Sequence, residues 1–213
     1  MSPGGERTGT RSYAPVEDAD KMQEEIGRLR ELLEVAEAAI GTLRDRCEDA
    51  EDGKAHLARL AVAGAQLHDS NEERGCLSNL QDVLLNLIGT EETAVWSVSG
   101  DGRSLDLRAS QGINAERWQR VAVGEGPLGK AVTTREIVVP GETAAGAPTV
   151  CIPLLLGERV LGVVAVFRLL PHRSGLGPQD DDVFRLVRRQ AAFALYCAGG
   201  PWQAVGKVGD GQG

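Results

Sequence analysis

"VAVGEGPLGKAVTTREIVVPGE", residues 121–142, is the stretch whose reading decides the fold. Gly124, Gly126 and Gly129 spell G-x-G-x-x-G, and Glu142 follows 18 residues after Gly124. Taken alone, that is the pattern of a dinucleotide site: a tight turn, a helix N-terminus for pyrophosphate, and an acid for a ribose. Such a site needs a buried parallel strand before the first glycine and a helix long enough to cross back over the sheet. The lead-in here, "NAERWQRVAV", is mostly polar, with a short apolar end. Between Gly126 and Ile137 there is room for only about two to three helical turns. Pro127 can open that helix but offers no amide to a phosphate. The glycines therefore read as makers of tight turns before a short helix. Glu142 then falls in a loop.

The flanking periods agree. "TAVWSVS" alternates Ala94, Trp96 and Val98 on one face, "SLDLRA" alternates Leu105, Leu107 and Ala109, and "GDG" at 100–102 joins them as a hairpin. "TVCIPLLL", the turn "GER" and "VLGVVAVFRL" form a second pair. That pair is apolar on both faces, so both strands are expected at the centre of the sheet, covered on both sides. Leu77, Leu80, Leu84, Leu87 and Ile88 give a helical stripe that ends at Gly89, a natural C-cap. "GPQDDDVFRLVRRQAAFALYCA" is a last helix, with Pro178 in its first turn and Asp180 to Asp182 at the positive end of its dipole. Helix, hairpin, glycine turn, hairpin, helix is an α+β domain with an antiparallel sheet.

Upstream the period is seven. Met22, Ile26, Leu29, Leu33, Ala36, Ile40, Leu43, Cys47, Ala50, Lys54 and Leu57 alternate by four and three, as a and d positions do over about five heptads. Glu25 at g would face Arg30 at e of a parallel partner, and Arg46 at g would face Glu51 at e. A stalk from Met22 to Leu57 would be roughly 54 Å long. The expected dimer interface is Ile26, Leu29, Leu33, Ile40, Leu43 and Leu57; the alternative is one amphipathic helix packed on its own domain. Ala36, Cys47, Ala50 and Lys54 weaken the seam, as do Gly41 and Gly53 in the helix.

The expected organisation is a disordered tail at 1–20, a coiled-coil helix at 21–69, the α+β domain at 70–198 and a flexible Gly-rich tail at 199–213. In that last tail Trp202 reads as exposed. The net charge of −8 argues against a nucleic-acid groove. No apolar run approaches the ~20 residues of a membrane span, and the N-terminus has no apolar signal core, so a cytoplasmic location is expected. Cys47, Cys76, Cys151 and Cys197 are widely spaced, and the last two are expected in the core.

"GEGPLGKAVTTREIVVPGE", "VCIPLLLGERVLGVVAVFR" and "LGPQDDDVFRLVRRQAAFAL", in this order and spacing, resemble a GAF domain over about residues 76–198. The resemblance implies a GAF-like antiparallel sheet of five or six strands flanked by helices, here preceded by a long coiled-coil helix. It implies first and last helices packed on one face, a small-molecule pocket on the other, and dimerisation through those helices.

The residue pattern of the cyclic-nucleotide members is absent. His56 and His68 fall in the expected stalk and His172 in a loop, so no haem or metal ligand set is expected, and no cofactor. Only "PGETAAGAP", residues 140–148, stands where relatives carry a lid. Trp96, Trp118 and Cys151 either line a small remnant pocket or fill the core, in a chain with only 4% aromatics.

Three functions stand side by side. The first is a non-enzymatic signalling or scaffold protein, a GAF homodimer acting through an unidentified protein partner. The second is a small-molecule-sensing regulatory protein. The third resembles the GAF-type free methionine sulfoxide reductases, and it needs clustered cysteines that Cys76, Cys151 and Cys197 do not supply.

Overall fold

The computed structural model describes residues 16–141, 146–171, 173 and 175–202. The expectations for residues 1–15 and 203–213, for Glu142 and for His172 lie outside them. The chain forms two units, 1–54 and 55–213.

The first unit holds most of helix α1 (Val16–Leu67). From residue 19 to residue 54 every side chain of this helix is exposed. A long helix with no buried face draws no packing energy from its own chain, and helical propensity alone is a weak support.

The second unit is built on one five-stranded antiparallel sheet, in the order β3-β2-β1-β5-β4. Its strands are β1 (Thr90–Val98), β2 (Ser104–Gln111), β3 (Arg120–Ala122), β4 (Val150–Leu156) and β5 (Arg159–Leu169). Helix α2 (Glu73–Ile88) buries Cys76, Leu77, Leu80, Val83, Leu84 and Ile88. It stops at Gly89, whose φ of 71° is left-handed and whose N–H closes on the carbonyls of Leu84 and Leu85. Helix α4 (Pro178–Leu186) passes through a π-helical stretch, Val187–Ala191, into α5 (Ala192–Ala198).

The glycine motif has the role its surroundings predicted. Gly124 and Gly126 take φ of 91° and 60°, which a side chain would resist. Gly129 lies inside α3 (Gly126–Thr134), where a Cβ would come within 2.5 Å of the Gly124 nitrogen and 2.7 Å of the Ala122 carbonyl. Two glycines turn the chain, and the third lets the short helix lie against the turn.

The second hairpin differs from expectation. β5 is central and buried continuously from Val160 to Phe167, but β4 is the outer strand of the sheet. Its open side is covered by the 138 segment, where Val138 and Cys151 exchange two backbone hydrogen bonds of 2.9 Å. An outer strand can carry a core-like sequence when a loop pairs with its edge.

Trp202 also differs. It is fully buried, in a 3-10 turn Gly200–Trp202 that follows α5. Its Nε1 donates to Glu73 Oε1 at 3.1 Å. The same carboxylate receives Arg108, whose Nε and Nη2 reach its two oxygens at 2.9 and 3.0 Å. Space for the indole exists because residue 162 is glycine: a Cβ there would meet the Trp202 ring at 2.8 Å and the Trp96 carbonyl at 2.0 Å. The folded domain therefore runs to residue 202. Cys197 is a smaller correction, since it is exposed and not in the core.

Candidate functional site

Trp96 and Val163 face each other across β1 and β5, and Ser97 pairs with Gly162. Because Gly162 opens toward Trp202 and thus toward α2, the side chains of Ser97 and Gly162 belong to the helix-covered face. Trp96 points to the opposite face, where the family resemblance implies a pocket. Cys151 is directly paired with Ala165, and Ala165 with Ala94, so Cys151 shares that face with Trp96.

On that face three rings pack together. Trp96 and Trp118 are 6.3 Å apart at 69°, and Phe167 stands 6.4 Å from Trp96 and 5.3 Å from Trp118. Edge-to-face pairs of this kind add about 0.5–1.5 kcal/mol each beyond burial. Trp96 is fully buried and its Nε1 donates to the Trp118 carbonyl at 2.8 Å. Trp118 belongs to the 3-10 turn Ala115–Trp118 and is half-buried, with the Arg117 guanidinium 5.5 Å above its ring. Sequence reasoning named both tryptophans and missed Phe167. The signal was available: Val163, Ala165 and Phe167 alternate on the strand that pairs with Trp96.

The two buried thiols, Cys76 and Cys151, are chemically quiet. Burial pushes the Cys151 thiol up to about 12. The Cys76 thiol is also raised, first by burial and then by the neighbouring charge of Cys197. Cys76 Sγ donates to the Ser70 carbonyl at 3.1 Å. A thiol is a nucleophile only as thiolate, so both behave as small apolar groups near neutral pH. Among the described residues no group of three or more His, Cys, Asp or Glu side chains is placed to hold a metal ion. No helix there is long and apolar enough to cross a membrane.

The seam residues Ile26, Leu29, Leu33, Ile40, Leu43 and Leu57 are 40% to 65% exposed.

The chain has no match among curated proteins. Solved structures share its fold at low identity. The GAF domain of an Acinetobacter phosphoenolpyruvate-protein phosphotransferase is 18% identical, with a TM-score of 0.54 over 72% of this chain and 97% of that one. Residues 122 to 287 of a methyl-accepting chemotaxis protein are 16% identical, with a TM-score of 0.52 over 64% and 96%. A free methionine-R-sulfoxide reductase from Neisseria meningitidis is 20% identical, with a TM-score of 0.54 over 67% and 89%. At such identities the likeness is one of fold alone. The GAF domain model matches residues 74–197, more than half of the sequence, and the chain belongs to the GAF domain family.

Proposed function

We propose that this chain is a non-enzymatic, cytoplasmic signalling or scaffold protein: a homodimer joined along α1 that acts through a protein partner. The observation that carries this reading is the exposed a/d stripe. Six large aliphatic side chains in heptad register lie in solvent on a helix with no buried face through residue 54. Such a stripe is stable when a second helix covers it, and the Glu25–Arg30 and Arg46–Glu51 pairs fit a parallel copy of the same helix. The packed rings on the Trp96 face and the two protonated thiols support a binding module over an enzyme.

Light scattering on the full chain at micromolar concentration is expected to give a dimer, and Leu33→Glu with Ile40→Glu a monomer with an unchanged domain. A monomeric wild-type chain would end the stalk reading. A truncated control should start at residue 55, because Ala63 and Leu67 belong to the domain's core and Leu60 packs against it.

A second reading, a small-molecule sensor, draws on Trp118. Its ring is only half-buried and lies beneath Arg117, where a flat ligand could displace the guanidinium. A ligand-dependent rise in melting temperature that disappears in Trp118→Ala would favour it.

A further inference from the structure

A cleft of about 740 Å³ lies beside the outer strand β4. One wall is residues 134–136 at the end of α3. The second is the β4–β5 turn, and the third is the π-helical stretch between α4 and α5. Three arginines line it, Arg135, Arg188 and Arg189, against Glu136 and Glu158. Arg185 joins Arg188 and Arg189 around an adjoining hollow. Leu155, Leu156 and Phe193 supply apolar surface, and Phe193 is 51% exposed.

The arginines are incompletely paired. Arg135 Nη1 reaches Glu158 Oε2 at 3.0 Å on the surface. Arg188 donates from Nη2 to the Arg135 carbonyl, and its Nη1 stops 3.8 Å from Glu136. Its enclosed Nε has no hydrogen-bond partner among the described residues. Arg189 has no ion-pair partner among them. The backbone is irregular on both sides of the Arg188–Arg135 contact. Arg135 is the only described non-glycine residue at positive φ, 58°, and residues 187–191 form the π stretch. Left-handed residues and π-bulges are uncommon, and each costs stability that a regular helix end would not. Here the two together bring Arg135, Arg188 and Arg189 to one cleft.

We propose that this cleft docks an acidic segment of a partner protein, a carboxylate-bearing stretch with an apolar residue beside it. This rests on the reading of the domain as an interaction module, and it names the partner's chemistry. Charge complementarity decides the class: arginines gather here in a chain of net charge −8, and guanidinium forks pair bidentately with carboxylates. Leu155, Leu156 and Phe193 take the apolar neighbour, and arginine beside an aromatic is the composition of an interface hot spot.

The probe is a fluorescent peptide alternating Glu and Leu, titrated into the full-length protein and followed by anisotropy; a Lys/Leu peptide and inorganic phosphate serve as comparisons. Saturable binding of the acidic peptide is expected, weakened at least tenfold by Arg189→Glu and several-fold by Phe193→Ala, and unchanged by Arg74→Glu on α2. Circular dichroism and melting confirm that each variant is folded. Loss of affinity equal in Arg74→Glu and Arg189→Glu would overturn the site, as would equal binding of the Lys/Leu peptide. Displacement by dilute phosphate with no effect of Phe193→Ala would mark a small-anion site and overturn it as well. None of these failures touches the dimer, which light scattering tests separately.

Discussion

Replacing Trp202 with alanine should be among the most damaging single changes available in the domain. The indole is fully buried, so its removal forfeits burial of one of the largest side chains and leaves a cavity. Large aromatic-to-alanine changes in cores cost about 3–5 kcal/mol. The lost Nε1–H bond to Glu73 adds less than its charge-assisted class would imply, because Arg108 still holds both oxygens of that carboxylate. For a domain of this size each kcal/mol moves the melting temperature by about 2–4 °C, so a fall of roughly 6–20 °C is expected. Trp202→Phe keeps most of the apolar contact, loses the hydrogen bond, and should cost about 1–2 kcal/mol. Urea unfolding at fixed protein concentration reads both, since any association makes apparent stability depend on concentration. Gly162→Ala provides an internal check. Its Cβ would press on the Trp202 ring at 2.8 Å and on the Trp96 carbonyl at 2.0 Å. Removing the ring in the double variant relieves the first contact and not the second, so the pair should couple without full rescue. A Trp202→Ala protein within 1 kcal/mol of wild type would refute this reasoning and return the residue to an exposed tail.

Further outcomes follow from α1, from β4 and from the thiols. Gly27 and Gly41 lie inside a helix with nothing within 4 Å of where a Cβ would stand, so Gly27→Ala and Gly41→Ala should each stabilise the helix by about 0.5–1 kcal/mol, read as higher helicity and a later thermal transition. Cys151 titrates near 12 when folded against an ordinary 9.0, so the neutral thiol is favoured by folding. Its share of stability is whole below pH 9 and is lost as pH rises from 9 toward 12, where the unfolded chain ionises first. The difference between wild type and Cys151→Ala should therefore shrink across that window, and a difference flat with pH would contradict the burial. Iodoacetamide on the native protein should label Cys197 before Cys76 and Cys151.

What the sequence made legible was local. The turn at Gly124 and Gly126, the short α3, both hairpins and the C-cap at Gly89 all follow from residues within a few positions of one another. The two tryptophans of the ring cluster, Trp96 and Trp118, were legible because tryptophan is rare in this chain. What was not legible depended on distant partners. Trp202 sits in a stretch whose glycines and polar residues read as a tail, and the slot that receives it is cut by Gly162 on another element. β4 reads as central because its edge is covered by residue 138, outside any strand. The arginine cleft needs α3, a hairpin turn and a π-helical irregularity to meet, and no sequence period announces a π stretch.

The heptad signal fades after Leu57, and the burial pattern explains why without weakening the seam. Within the second unit α1 buries Ala63 and Leu67 and half-buries Leu60. Counting on from Ile26 at a, these are c and g positions, whereas Leu57 and Ala61, at d and a, remain exposed. At 3.6 residues per turn the buried stripe is rotated from the a/d seam by roughly 110°. Packing on its own domain therefore leaves the a/d face of α1 open at Leu57 and Ala61. The two readings that the heptads left open, a helix docked on its domain and a helix paired with a copy, are compatible on this chain. A variant with Leu60, Ala63 and Leu67 intact and Leu57→Glu should keep the domain's melting temperature while weakening self-association. Loss of both together would show that one face serves both contacts.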